Sequence, residues 1–188
     1  MRFAEMDKFR RFGRGTPSWR KLHLAVDAGT GQIVASILTE QDVDDPSQVG
    51  PLLDQIEQEI VQVTADGAYD GEPTYDTIAQ RDPLINVVIP PRITAQPSAQ
   101  FETSPCRRDT HLLLIQSLGR LEWQEATGYG QRALVETTMG RYKSIIGARL
   151  RARHCRGQQA EVAIAVEVLN RMLGAGRPKS VHTLAVGT

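Results

Sequence analysis

Apolar spacing divides the chain into a strand-rich first half and a helical second half. From Trp19 the run WRKLHLAVD sets Leu22, Leu24 and Val26 on one side and His23 and Ala25 on the other, a period of two that predicts a strand. Asp27-Ala-Gly-Thr-Gly-Gln32 then supplies turn chemistry, with two glycines able to take positive φ, and QIVASILTE resumes as a second strand. Lys21 to Leu38 therefore reads as a β-hairpin. Asp45-Pro46-Ser47 puts candidate caps ahead of a helical pattern through Leu52, Leu53, Ile56 and Ile60. VQVTADGAYD reads as a short buried strand ending on Asp66-Gly67, Pro73 to Arg81 as a short helix, and Asn86 to Ile89 as β-formers stopped by Pro90-Pro91. Hairpin, helix, strand, helix, strand is the order of a mixed α/β layer fold.

Beyond Arg92 the composition turns to Thr, Ala, Gln, Pro and Ser, which predicts an irregular loop to about Pro105. Three helical segments follow: Asp109 to Gln116, Gln131 to Ile146, and Gln158 to Leu173, the last ending at Gly174 and Gly176 before Pro178. The first eighteen residues, rich in Arg, Phe and Gly, show no clear periodicity and are expected to form an irregular arm. Residues 19–176 are expected to form the main domain, and 177–188 a mobile tail. At 188 residues the chain has room for one well-buried domain.

Composition excludes several classes. Hydrophobic residues at 40% and charged residues at 23% match an ordinary globular mixture rather than disorder or a fibrous repeat. Net charge is zero, but its distribution is uneven: from Gly130 onward ten Lys and Arg stand against three Glu, an excess of seven. Such segregation suits a phosphate-facing second half, and equally a solvated helix face. Cys106 and Cys155 are far apart and lack a CxxC partner, and the four histidines lack metal-ligand spacing, which points to free thiols in a reducing compartment. No apolar run reaches the roughly 20 residues that span a bilayer, and the start lacks a signal-peptide core, so a cytoplasmic protein is expected.

The most specific feature lies in TGYGQRALVETTMGRYKSIIG. Tyr129, Arg132, Glu136 and Lys143 follow the spacing Y-(2)-R-(3)-E-(6)-K, which on an ideal α-helix brings all four within an arc of roughly 60°. Arg132 and Glu136 alone would be an ordinary i,i+4 pair on an exposed helix, and Asp66-Gly67 alone an ordinary turn. Together they resemble the Y-R-E-K signature group of bacterial insertion-sequence DDE transposases. In that group the Glu is the third acid of the triad, and a strand ending in Asp-Gly-x-Tyr carries the second. WRKLHLAVD, VIPPR, GRYKSIIGARLRAR and AVEVLNRML are further similar blocks in the family's order, so the resemblance runs from about Ser18 to Lys179.

The resemblance implies a ribonuclease H-like (retroviral-integrase-like) mixed sheet flanked by helices and metal-dependent DNA cleavage and strand transfer at insertion-sequence ends. It further implies Asp66 and Glu136 as catalytic carboxylates binding Mg²⁺ or Mn²⁺. Hard divalent cations favour such oxygen ligands, and a pair of them suits phosphodiester attack. Arg132 and Lys143 would hold DNA phosphates or orient the metal shell, and Tyr129 would contact the backbone or a displaced base. DNA, as terminal repeats and target, is the implied partner, alongside a homo-oligomer or the full-length transposase.

The chain departs from the family at its start. The Val-Asp-Ser-Thr-like context of the first acid is absent, and Asp7 is the sole aspartate before Trp19. The expectation is therefore a truncated frame whose sheet lacks its first strand, with very low strand-transfer activity. A non-catalytic DNA-binding fragment that interferes with the full-length transposase is the alternative. A stand-alone nuclease would need Asp27 or Asp7 as a further acid. Asp70 is read as a cap or turn residue, and Trp19 as hairpin packing.

Overall fold

The computed structural model describes residues 2–11 and 19–176, with side chains from Trp19 onward except at 131 and 132. Strands β1 (Arg2–Arg11), β2 (Trp19–Val26) and β3 (Ile33–Glu40) form an antiparallel meander. Strands β4 (Gln62–Thr64) and β5 (Asn86–Val88) extend it in parallel, giving the order β3-β2-β1-β4-β5. A two-residue strand, β6 (Arg149–Leu150), pairs in parallel with the far end of β1. Between the strands lie α1 (Val49–Leu53), α2 (Glu72–Arg81), α3 (Arg107–Leu118), α4 (Arg120–Thr127), α5 (Ala133–Arg141) and α6 (Cys155–Gly174).

Both faces of the sheet are covered, so the hairpin strand β2 is buried on each side. Its alternation assigns the layers. Leu22, Leu24 and Val26 join Val135, Met139, Tyr142, Val162, Ala165 and Leu169 under α5 and α6. Ala25 joins Leu52, Leu53, Val63, Ile78 and Val87 on the α1 and α2 side. His23, on that second face, is fully buried with Nε2 at 2.9 Å from Thr39 Oγ1.

The edges of the sheet are closed by side chains. At the β3 edge the Asn170 amide of α6 both donates to Ile33 O and accepts from Ile33 N–H, each at 2.8 Å. At the β5 edge Arg107 of α3 reaches the carbonyls of Pro83 and Ile85. An open edge is a template for unwanted pairing, and these contacts occupy its polar groups.

Several expectations need correction. The sheet does not lack a strand at its centre, and the N-terminal segment is not wholly irregular: Arg2–Arg11 is β1, lying between β2 and β4. RFAEMDKFRR hides this because a central strand is held by backbone pairing on both sides and its own side chains need not alternate. The helix expected through Ile60 is only one turn of 3₁₀ (Pro46–Gln48) followed by the five residues of α1. No capping bond forms there, since Lys21 Nζ takes the Asp45 carboxylate at 3.1 Å. Helix α4 lies between the helical segments expected at 109–116 and 131–146. The tail after Gly176 lies outside the described residues.

Candidate functional site

Strand β4 ends at Thr64, and Asp66 follows in extended conformation as the N-cap of a 3₁₀ turn, Gly67–Tyr69. Its Oδ1 accepts the Ala68 N–H at 2.7 Å, which fixes the carboxylate. Behind it the turn is clamped. Arg92 donates through Nε to Gly67 O at 3.2 Å and through Nη2 to Ala68 O at 2.9 Å. Gly67 is favoured here, because a Cβ would stand 3.3 Å from Pro90 O, a tight contact that the neighbour would have to yield to. Three bonds close on Asp70: Arg108 Nε at 2.7 Å, Arg108 Nη2 at 3.3 Å, and the Arg92 N–H at 2.9 Å. The Asp70 hydrogen bond is also what raises the pKa of Arg108. Asp70 is thus more than a turn residue: its side chain is fully buried in an ion pair that ties this turn to α3.

Glu136 is presented differently. The stretch expected as one helix is a 3₁₀ turn at Tyr129–Arg132, α5, and then a π segment at Tyr142–Ile146. Tighter winding before α5 and looser winding after it rotate Tyr129 and Lys143 away from the ideal stripe. Val135, Thr138 and Met139 face inward and Glu136 is exposed. The inward face of α5 packs on β1 and β2, and β1 in turn neighbours β4, the strand that leads into Asp66.

An open cleft of about 410 Å³ lies beside the Asp66 turn. Gly67, Pro90, Pro91, Arg92, Ile93, Thr94, Arg120 and Tyr129 line it. Tyr129 of the Y-R-E-K spacing thus faces the residue after Asp66. From Tyr129 to Glu136 the chain advances about 12 Å by helical rise. Lys143 is exposed, as are Arg149, Arg151, Arg153 and Arg156 just after it. The side chain of Arg132 lies outside the description.

Asp27 is the hairpin residue it was taken for, accepting from Thr30 N–H at 2.9 Å and from Thr30 Oγ1 at 2.6 Å; the Thr30 hydroxyl bond lowers its pKa. Asp7 lies on β1. The register Arg2↔Thr64 carries Ala4, not Asp7, level with Asp66, and Asp7 is three residues further, about 10 Å by strand rise. Among the described residues no three His, Cys, Asp or Glu side chains come close enough to hold a metal ion. No helix among them is long and apolar enough to cross a membrane.

Sequence reasoning missed Arg92, Arg108, Arg120, His111 and Trp123. Only Arg92 had a signal, as the last residue of VIPPR.

A parallel strand leading to Asp66 beside an antiparallel meander, with helices on both faces, defines a mixed α/β layer fold. Residues 5–171 match the model of the Transposase DDE domain, and the chain belongs to that family. In three dimensions it is similar to a chain of the cryo-EM structure of the piggyBac transposase synaptic complex with hairpin DNA, with a TM-score of 0.57 and 11% sequence identity. The match covers 92% of this chain and 46% of that one, so this chain spans less than half of that protein. At that identity the likeness speaks for the fold.

Proposed function

We propose that the chain is the ribonuclease H-like catalytic portion of a DNA transposase of the Y-R-E-K insertion-sequence group. On this reading Asp66 and Glu136 are paired metal-binding carboxylates. The observation that carries it is the cleft lined both by Gly67, next to Asp66, and by Tyr129, on the 3₁₀ turn that leads into the helix of Glu136, because it sets the start of that segment beside the turn of the other acid.

The donor set suits Mg²⁺ or Mn²⁺. Asp66 offers an oxygen beyond the one bonded to Ala68, and Glu136 is exposed. When bound, such ions supply charge stabilisation for phosphodiester cleavage and joining. The chain's own residues bind and orient DNA: Tyr129 in the cleft, and Arg132, Lys143 and the basic run to Arg156 on the phosphates. With Asp66 and Glu136 as the paired carboxylates among the described side chains, strand transfer by this chain is expected to be weak. DNA ends are the substrate and a second transposase chain the partner.

Manganese titration followed by the electron-spin signal of the free ion tests the pairing without requiring turnover. Asp66→Asn and Glu136→Gln are each expected to weaken Mn²⁺ binding at least about tenfold with melting temperature unchanged. Wild-type affinity in either variant would remove that residue from the site.

A further inference from the structure

The β5 edge leads, residue by residue, to the cleft. Asn86 N–H and Val88 O bond inward to the β4 side, which turns the Ile85 and Val87 carbonyls outward. Arg107 takes Ile85 O, and His111 Nε2 sits 2.7 Å from Val87 O. A carbonyl only accepts, so Nε2 carries the proton and Nδ1 is left as an acceptor. Trp123 Nε1–H fills it at 3.0 Å. The two rings meet edge-on at 5.5 Å, with Trp123 fully buried and His111 nearly so. Trp123 also packs against Tyr129, ring centroids 5.3 Å apart and planes tilted by 43°. Tyr129 lines the cleft beside Gly67, Arg92 and Arg120, and Arg120 is itself fixed to Pro91 O at 3.1 Å.

We infer that His111 and Trp123 are positioning residues: they hold the Tyr129 ring at the cleft by a hydrogen-bonded chain anchored on the sheet edge. This rests on the DNA-facing reading of the cleft given above. A buried indole N–H needs an acceptor, and here His111 supplies it and so fixes the ring that packs on Tyr129. Here both ring nitrogens of His111 are used, in the one arrangement that a neutral imidazole allows. Burial lowers the His111 pKa, the bond to Val87 and the charge of Asp70 oppose that shift, and the charge of Arg107 adds to it. Protonation would turn the Nδ1 acceptor into a donor facing the Trp123 N–H and break the chain.

The test uses fluorescence anisotropy of the full chain with a short fluorescein-labelled duplex of mixed sequence. Tyr129→Ala weakens binding. Trp123→Phe, which keeps a ring but removes the donor, weakens it roughly threefold. In a Tyr129→Ala background Trp123→Phe adds nothing, because it acts through the phenol. Additive losses, or no loss from Trp123→Phe alone, overturn the inference. No loss from Tyr129→Ala overturns the cleft reading and the inference with it.

His111→Gln provides an arm that keeps the hydrogen-bond pattern, since the amide can donate to Val87 O and accept from Trp123. It is expected to bind as wild type at neutral pH and to lack the loss of affinity that the wild type suffers on the acid side of its lowered pKa. An identical acid limb in both proteins would sink the proposal.

Discussion

The turn that carries Asp66 and the helix that carries Glu136 are built on opposite plans. Around Asp66, besides the apolar packing of Ala65 and Tyr69, the supports are polar and specific: a buried Asp70 carboxylate paired with Arg108, an arginine on two successive carbonyls, and a glycine whose Cβ position is crowded by Pro90 O. Glu136 rides on apolar packing by Val135 and Met139, in a helix bracketed by a 3₁₀ turn and a π segment. One acid is fixed in position by hydrogen bonds around its turn. The other stands on an element whose winding changes within two turns, and π segments recur at functional sites. On the proposed reading, the two acids would act as a hydrogen-bonded jaw at Asp66 and a helix-borne jaw at Glu136.

Removing the strongest polar support should give the largest effect. Arg108→Ala leaves the buried Asp70 carboxylate with only the Arg92 N–H, and about 3 kcal/mol of stability should be lost in urea unfolding. A loss below about 1 kcal/mol would mean that the turn does not depend on the pair.

Acid should act next, through Asp109 at the start of α3. Burial pushes its carboxyl pKa up, but bonds from the Ser98 hydroxyl and amide and from Cys106 outweigh this and hold it at about 2. A lowered folded pKa contributes stability that is present above the unfolded value near 3.8 and lost as pH falls toward 2. Asp109→Asn should flatten the stability profile across that window. A profile of unchanged steepness would show that other carboxyls govern acid unfolding.

Gly67→Ala sharpens the contrast from the geometric side. Its Cβ crowds Pro90 O, so a cost of about 1 kcal/mol is expected together with weaker Mn²⁺ binding. Gly140→Ala, on the helix of Glu136 with nothing near its Cβ, should stabilise slightly or do nothing. Equal effects at the two glycines would dissolve the distinction between the jaws. The smallest change is expected at the exposed Arg171–Glu167 pair, where Arg171→Ala should cost no more than about 0.5 kcal/mol in thermal melts.

Local chemistry made much of this legible in the sequence. Period-two alternation gave the β2–β3 hairpin because one face of β2 feeds each apolar layer. Helices α2 and α6 and strand β5 came from turn residues and apolar spacing, and the Y-R-E-K and Asp-Gly-x-Tyr spacings drew attention to Tyr129, Glu136 and Asp66. Strand β1 stayed hidden, as did helix α4, whose one buried side chain, Trp123, leaves no apolar stripe to read.

What the amino-acid order determined by itself was whatever rests on neighbours a few residues apart: strand alternation, helix spacing, turns and the motif positions. Only the tertiary structure decided that Arg2–Arg11 sits at the centre of the sheet. It also decided that Asp70 is a buried ion-pair partner and that Tyr129 reaches the turn after Asp66. Each of those outcomes joins residues 22 to 62 positions apart through backbone pairing or burial, and no local pattern encodes such a contact.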